Sequence, residues 1–471
     1  MYKYTKANTH STRILLLHAH QPTYIKMQKL AVLLALLAAT AIACSDAGAA
    51  VRMQLTRTDA GRGFTRRELL RRMALRSKAR AARLLSRAAN GGGTVSPAQL
   101  DDDDGAPDAE YLVRFAVGTP PQPVQLELDT GSDLTWTQCE PCAACFDQAL
   151  PYFNTALSST LAVPPCFSSE CQALPLSSCG TQNGWGDFTC VYTYSYADNC
   201  VTTGILHRDT FTFAGAAAER SVVPGLAFGC GVFNSGSFDL NETGIAGFGR
   251  GPLSLPSQLK VANFSYCLAA INGSAASHFL LGLPANLYGS GRGTVQTTPL
   301  IQNPQAPSFY YLSLKGITVG STKLPIPEST FALTNDGMGG TFIDSGTSMT
   351  MLPKDVYKLV HDAFVAQVKL PVQNLTAMSG HLCFSVPPMA KPTIPKLVFH
   401  FEGATLDLPQ ENYMFEMEEA GSSFTCLALD ATDAGEDALT IIGNYQQQNM
   451  HVLYDLANNK LSFVSAQCDK V

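Results

Sequence analysis

Leu126–Ser132 reads LELDTGS, and Thr341–Thr347 reads TFIDSGT. Each is an apolar run ending in Asp, a hydroxyl residue, Gly and a second hydroxyl residue. About a hundred residues after each come two small or apolar residues and Gly: Ile245-Ala246-Gly247 and Ile441-Ile442-Gly443. A duplicated unit of this kind predicts two similar lobes with a site built symmetrically between them. The lobe boundary is expected in the Gly/Pro-rich stretch Gly291–Pro304.

The chemistry of the repeat follows from its residue types. A strand delivers the carboxylate, and Gly131 and Gly346 let the chain turn sharply beside its symmetry mate. Thr130 and Ser345 can hydrogen-bond across to the opposite loop. If Asp129 and Asp344 meet, both cannot ionise cheaply, so the pair shares one proton. One carboxylate then acts as base toward a water and the other as acid toward a carbonyl. That machinery needs no metal, cofactor or covalent intermediate.

The surrounding chain reads as β. Short runs rich in Val, Ile, Thr, Tyr and Phe alternate with Gly/Pro/Asn/Ser clusters from about residue 108 onward. Examples are Tyr111–Val117, Val124–Leu128, Cys190–Tyr196, Thr210–Phe213, Tyr310–Leu314, Lys396–Phe401 and Leu461–Val464. One helix is expected at Lys354–Gln367, with Val356, Leu359, Val360 and Phe364 on one face. Another is expected at residues 64–89, where Leu70, Met73, Ala81, Leu84 and Ala88 share a face and Arg fills the others.

Of the 471 residues, 32 are Lys or Arg and 38 are Asp or Glu, a net charge of −6. That balance is unevenly distributed. Residues 50–100 carry 12 Lys/Arg but only Asp59 and Glu68 as acids, whereas residues 105–471 carry 15 Lys/Arg and 31 Asp/Glu. An acidic body repels nucleic acid and anionic membrane, which excludes both as its partners. The basic helix is expected to lie over an acidic cleft as a propeptide, joined to the body through the exposed Asp101–Asp104 linker. Nucleic acid or an anionic membrane surface are the rival partners of that helix.

Leu30–Ala43 is an apolar run after Lys26 and Lys29, the pattern of a secretory leader and too short to span a bilayer. A plastid transit peptide is the alternative. Secretion would make the dense cysteines a disulfide framework: Cys139, Cys142, Cys145, Cys166, Cys171, Cys179, Cys190, Cys230, Cys267, Cys383, Cys426 and Cys468. The spacing of Cys139, Cys142 and Cys145 also suits a zinc knuckle, which an oxidising compartment disfavours, and no metal site is expected. Asn241, Asn263, Asn272 and Asn374 are glycosylation acceptors by sequence.

From about Glu110 to Cys468 the chain resembles the pepsin-like aspartic proteases. The carrying stretches are EYLVRFAVGTPPQPVQLELDTGSDLTWTQC and TFIDSGTSMTML. The cysteine-rich insert with FGCG (Phe228–Gly231), GFGRGPLSLPSQL (Gly247–Leu259), FSYC (Phe264–Cys267) and IIGNYQQQNMHVLYDL (Ile441–Leu456) resembles the plant nepenthesin-type branch. The resemblance implies an all-β fold, a bilobal pepsin-like double β-barrel with an inter-lobe active-site cleft. It divides the chain into an extension with signal peptide (1–49), a basic propeptide and acidic linker (50–107), an N-terminal catalytic lobe with the Cys-rich insert (108–295) and a C-terminal catalytic lobe (296–471).

The resemblance also implies residue roles. Asp129 and Asp344 would be the catalytic dyad, Thr130 and Ser345 would make crossed hydrogen bonds beneath it, and Ser132 and Thr347 would bond the outer carboxylate oxygens. Tyr196 would belong to a mobile flap, with Trp136 as its partner. The flap departs from the branch pattern at Ala197, Asn199 and Cys200, and Cys200 is expected outside the disulfides. Cys383–Cys426 is the one pairing expected. The implied activity is an aspartic endopeptidase made as a zymogen, monomeric, secreted or vacuolar, and acting on polypeptides at acid pH. The alternatives are a catalytically inactive pepsin-fold inhibitor or binding protein and a DNA-associated protease of the chloroplast.

Overall fold

The computed structural model describes residues 51–59, 62–89, 110–181, 188–196, 200–214, 220–271, 277–282, 292–373, 381–388, 390, 392–419, 421–432 and 439–468. The leader, the Asp101–Asp104 linker, Asn272, Asn374 and flap residues 197–199 lie outside them.

The body is built of strands, and it is bilobal, the double β-barrel architecture expected. Strand β2 (Tyr111–Val117) runs antiparallel to β3 (Gln122–Asp129), with Val113 opposite Leu126 and Phe115 opposite Val124. Tyr111, Leu112 and Val113 are buried while Arg114 faces solvent. Buried apolar side chains from both lobes, among them Phe115, Leu126, Phe211, Phe264, Tyr310, Leu352 and Phe399, form one continuous core.

In each lobe the downstream apolar-apolar-Gly segment returns to lie parallel to the strand that ends in Asp. Strand Gly244–Gly247 places Gly247 opposite Asp129, and strand Thr440–Ile442 places Ile442 opposite Ile343. A parallel partner fixes the end of the strand, so each Asp leaves its sheet from a pinned position. The backbone locks agree: Phe248 N donates to Asp129 O at 2.7 Å, and Asp344 N donates to Ile442 O at 3.0 Å.

The expected helix at Lys354–Gln367 is present over those same residues, burying Val356, Val360 and Phe364 behind Pro353. The Gly/Pro-rich stretch expected to hold the lobe boundary is sheet. Arg292–Ile301 is a strand paired with Lys460–Ser465 and Tyr310–Leu312, so a division after residue 295 falls inside an element. Gly293 sits at a register shift between Arg292 and Gln296, whereas Pro299 lies in regular register opposite Lys460.

The basic N-terminal segment is integrated into the body. Strand β1 (Val51–Arg57) pairs antiparallel with Ser277–Leu281 on one side and with β2 on the other. Helix α1 (Arg66–Ala89) follows. It buries Leu69, Leu70, Met73 and Ala74 against Met349, Phe415, Met417 and Tyr445, and Ala81 and Leu84 against Tyr311, Phe342 and Met351. Burying several such side chains contributes roughly 1.5–3 kcal/mol each for the larger ones.

Six disulfides join Cys139–Cys230, Cys142–Cys145, Cys166–Cys179, Cys171–Cys190, Cys267–Cys468 and Cys383–Cys426. All twelve expected cysteines take part, in one arrangement that sequence spacing alone leaves open. Cys200 belongs to none of the six, and its buried thiol faces Ser237 O at 3.8 Å.

Candidate active site

The two Asp loops meet and hold each other. Thr130 N donates to Ser345 Oγ at 3.0 Å, and Ser345 N donates to Thr130 Oγ1 at 2.8 Å. Ser345 Oγ also donates to Leu128 O at 2.6 Å. These crossed bonds span the interface between lobes, so the separation of the carboxylates is set by backbone. Gly131 N donates to Asp129 Oδ1 at 2.9 Å and Gly346 N to Asp344 Oδ1 at 3.1 Å.

Glycine is required by space as much as by turn geometry. A Cβ on Gly346 would stand 2.4 Å from Asp129 Oδ1, and one on Gly131 would stand 2.8 Å from Asp344 Oδ1. Each loop therefore packs its backbone directly on the other loop's carboxylate.

The outer oxygens differ. Thr347 Oγ1 donates to Asp344 Oδ2 at 2.6 Å. Ser132 lies close enough to Asp129 to favour its ionised form, but its Oγ and Asp129 Oδ2 make no hydrogen bond of normal geometry. Burial pushes the Asp129 carboxyl above its ordinary range, with Arg80 pulling it down and Asp344 pushing it up.

Arg80 of α1 sits on the pair. Its terminal nitrogen Nη2 bonds Asp129 Oδ1 at 2.6 Å, and Nε bonds Asp344 Oδ2 at 2.8 Å. The arginine is 2% exposed and both carboxylates are fully buried. One guanidinium thus bridges both lobes at the point where a reacting group would stand.

One turn back along the helix, Arg76 bonds Glu127 through Nη2 at 2.8 and 2.7 Å, with its Nε 4.0 Å from Glu110. Glu110 accepts from Ser348 Oγ at 2.6 Å and Asn444 Nδ2 at 2.7 Å. Burial pushes both glutamates above their ordinary range, and Arg76 draws both back down. Further out, Lys78 pairs with Asp430 at 3.1 Å, and Arg67 pairs with Glu419.

Tyr196 follows strand Phe188–Ser195, and its N donates to Cys200 O at 2.7 Å, closing the hairpin with Val201–Ala214. Its ring is buried 5.1 Å from that of Tyr194, in one cluster with Leu134 and Trp136, and its hydroxyl reaches Leu134 O at 3.5 Å. Trp136 packs edge-on against Phe238 at 5.6 Å and Phe146 at 6.4 Å. The two aromatics expected together are together. Of the glycosylation candidates, Asn241 and Asn263 are both part-buried, and Asn241 Nδ2 donates to Thr58 O at 3.4 Å.

Arg76, Arg80, Glu110 and Glu127 were not singled out from sequence as site residues. A signal exists for two of them. Arg80 stands on the apolar face of its helix, seven residues after Met73 and next to Ala81, and Glu127 is a charged residue between Leu126 and Leu128, two residues before Asp129.

The chain is similar to known plant proteins along most of its length. Models described as xylanase inhibitor N-terminal and xylanase inhibitor C-terminal match residues 111–283 and 309–465. The chain is 42% identical to aspartic proteinase nepenthesin-1 of Nepenthes gracilis, covering 88% of this chain and 90% of that protein. It is 40% identical to nepenthesin-2 of the same plant, covering 89% and 90%. Aspartyl protease 37 of Oryza sativa subsp. japonica is 34% identical over 93% of this chain and 98% of its own length. Among solved structures, that of edgp aligns with a TM-score of 0.61 at 20% identity, covering 77% of this chain and 93% of that one. Basic 7S globulin from soybean aligns with 0.58 at 21% identity, covering 76% and 94%.

Proposed function

We propose, because this chain belongs to the plant pepsin-like aspartic proteases, that it is a self-inhibited endopeptidase whose Asp129–Asp344 pair activates water at acid pH. The observation that carries the reading is the convergence of two buried carboxylates, one from each lobe, on a single guanidinium of the basic N-terminal helix.

With Arg80 withdrawn, two like charges cannot both persist at this separation, so the pair keeps one proton. The ionised member takes a proton from water as it attacks the scissile carbonyl, while the protonated member donates to the carbonyl oxygen, giving a tetrahedral diol. The first carboxyl then passes its proton to the amide nitrogen as the C–N bond breaks, and a diol hydroxyl returns a proton to the second, leaving acid, amine and the singly protonated pair. The crossed Thr130–Ser345 bonds hold the geometry through both steps. Tyr196, at the base of the β-hairpin, is placed to close over an extended chain and exclude water.

In the self-inhibited form Arg80 occupies the catalytic position, and α1 fills the cleft. Acidification releases it. Protonating Asp129, Glu127 and Glu110 removes the charge that Arg80 and Arg76 bond, and burial, which raises all three carboxyls, favours that protonation as pH falls. The helix then leaves and the linker is cut. Secretion or vacuolar delivery suits such an enzyme. No helix among the described residues is long and apolar enough to cross a membrane.

The test is casein digestion at acid pH with wild type, the Asp129→Asn variant and a statine-type inhibitor. Activity that either treatment leaves intact overturns the mechanism. Retention of both aspartates favours catalysis over the inhibitor alternative.

A further inference from the structure

We infer that Glu127 and Glu110 form a subsite for a basic side chain of the substrate, a guanidinium or ammonium group held beside the dyad. The inference rests on the proteolytic reading above and adds a substrate class to it.

The subsite is seen occupied. Arg76 places both carboxylate oxygens of Glu127 within hydrogen-bond distance of one terminal nitrogen, with Glu110 facing its Nε at 4.0 Å. Glu127 is 1% exposed and Glu110 0%. Such a site recognises charge, and a fork of donors matches it better than a point charge. A further buried carboxylate, Glu242, lies within electrostatic reach of Arg76, Glu110 and Glu127, and its Oε1 has no hydrogen-bond partner. Once α1 departs, Glu127 and Glu110 lose the guanidinium between them, and a buried carboxylate left ionised without a cation is costly.

The subsite adjoins the reacting centre. Glu127 lies two residues before Asp129 on β3, and side chains at that spacing share a face. Ser348, which donates to Glu110, lies four residues after Asp344. Arg76 and Arg80 are one helical turn apart, about 6 Å along the axis. An extended chain rises about 3.3 Å per residue, so a basic side chain here belongs to a residue about two positions from the scissile bond. The opposite wall of the cleft, lined by Phe342, Tyr311 and Ile441 around Ala81 and Leu84, is apolar. The pair of walls therefore favours a substrate that is basic at one position and apolar at another.

The preference is tied to ionisation. Glu127 faces Arg76, Glu110, Glu242 and Asp129, and burial raises its titration range. Protonation of Glu127 and Glu110 as pH falls abolishes the attraction, so the preference for a basic residue is strongest at the upper end of the active pH range.

The test uses peptides carrying Arg or its uncharged isostere citrulline one to three residues to either side of the bond cut. For the acid-processed enzyme, kcat/KM for Arg is expected to exceed that for citrulline at least tenfold at one position. In Glu127→Gln that ratio is expected to fall toward one. Equal handling of the two peptides, or a ratio that survives Glu127→Gln, overturns the subsite. Should the variant fail to fold, the wild-type ratio decides: it must fall as pH is lowered across the range in which the enzyme cleaves, and a ratio that does not change with pH overturns the subsite.

A cut site for an unrelated protease, placed between residues 90 and 109 in the Asp129→Asn chain, frees α1 without self-processing. Labelled peptides then report the same Arg-to-citrulline ratio in Kd. If this chain keeps the ratio while processed wild type cuts none of the peptides, or while Asp129→Asn cuts them as fast as wild type, the catalytic reading breaks and the subsite stands. Wild-type cleavage that Asp129→Asn abolishes, with no such ratio in either chain, does the reverse.

Discussion

The loops at Asp129 and Asp344 share a backbone plan and differ in what surrounds it. Two residues before Asp344 stands Phe342, fully buried and stacked on Phe309 at 4.7 Å. Two residues before Asp129 stands Glu127, buried and ion-paired. Asp344 has its outer oxygen fixed by Thr347, whereas the matching bond from Ser132 to Asp129 is not made. Duplication thus preserved the parts that set the separation of the carboxylates. The parts that set charge and fit diverged, leaving one wall anionic and the other greasy.

The largest expected effect bears on the shared plan. Asp129→Asn and Asp344→Asn should each lower kcat on casein by at least about a hundredfold, because each carboxylate has no substitute in the other lobe. A variant of either that retains most activity breaks the symmetry on which the comparison rests.

Arg80→Leu comes next. It strips the buried carboxylates of their shared cation, a loss of about 3–5 kcal/mol in helix docking where a buried partner is removed. Full-length protein should then cleave a quenched peptide near neutral pH, where wild type is silent. An Arg80→Leu chain as silent as wild type removes Arg80 from the inhibitory contact.

A third outcome concerns Glu242, whose carboxyl burial pushes up to about 8. A carboxyl raised in the folded state contributes its stability fully below its unfolded value near 4.5, and loses it as pH rises through about 8. Glu242→Gln should therefore flatten the fall in Tm between about pH 5 and pH 8 by several degrees. An unchanged slope would place the strain elsewhere on the anionic wall.

The smallest effect sharpens the asymmetry. Thr347→Val loses a 2.6 Å bond to Asp344, worth about 1.5–3 kcal/mol for a charged acceptor. Ser132→Ala loses none of normal geometry, so the threonine change should reduce kcat several-fold more. Equal losses would mean the two loops become alike once Arg80 has gone.

The candidate site around Asp129 and Asp344 was legible because it is written twice. A repeated Asp-hydroxyl-Gly turn, each with a distant apolar-apolar-Gly partner, leaves little room for other folds, and strand texture placed six of the seven strands it named within two residues. Thr130, Ser345 and Thr347 fell where the repeat put them. What stayed hidden has no local pattern. Glu110 opens a strand and makes its bonds to Ser348 and Asn444, residues more than two hundred positions away. Arg80 is one cation in a run of many, and only its place on the buried face separates it from neighbours such as Arg71. Strand β1 carries ordinary alternation whose value comes entirely from the gap it fills. The Gly/Pro stretch near residue 295 reads as a break, yet pairing to the chain's last strand makes it sheet.

That gap has an outcome for how the protein matures. Val51–Leu55 is laced to Ser277–Leu281 while Leu55–Arg57 is laced to β2, so a cut after α1 severs the chain without unthreading it. The nicked product should migrate as two bands in detergent gels but as one particle in native chromatography, because β1 stays paired after α1 has left the dyad and the linker has been cut.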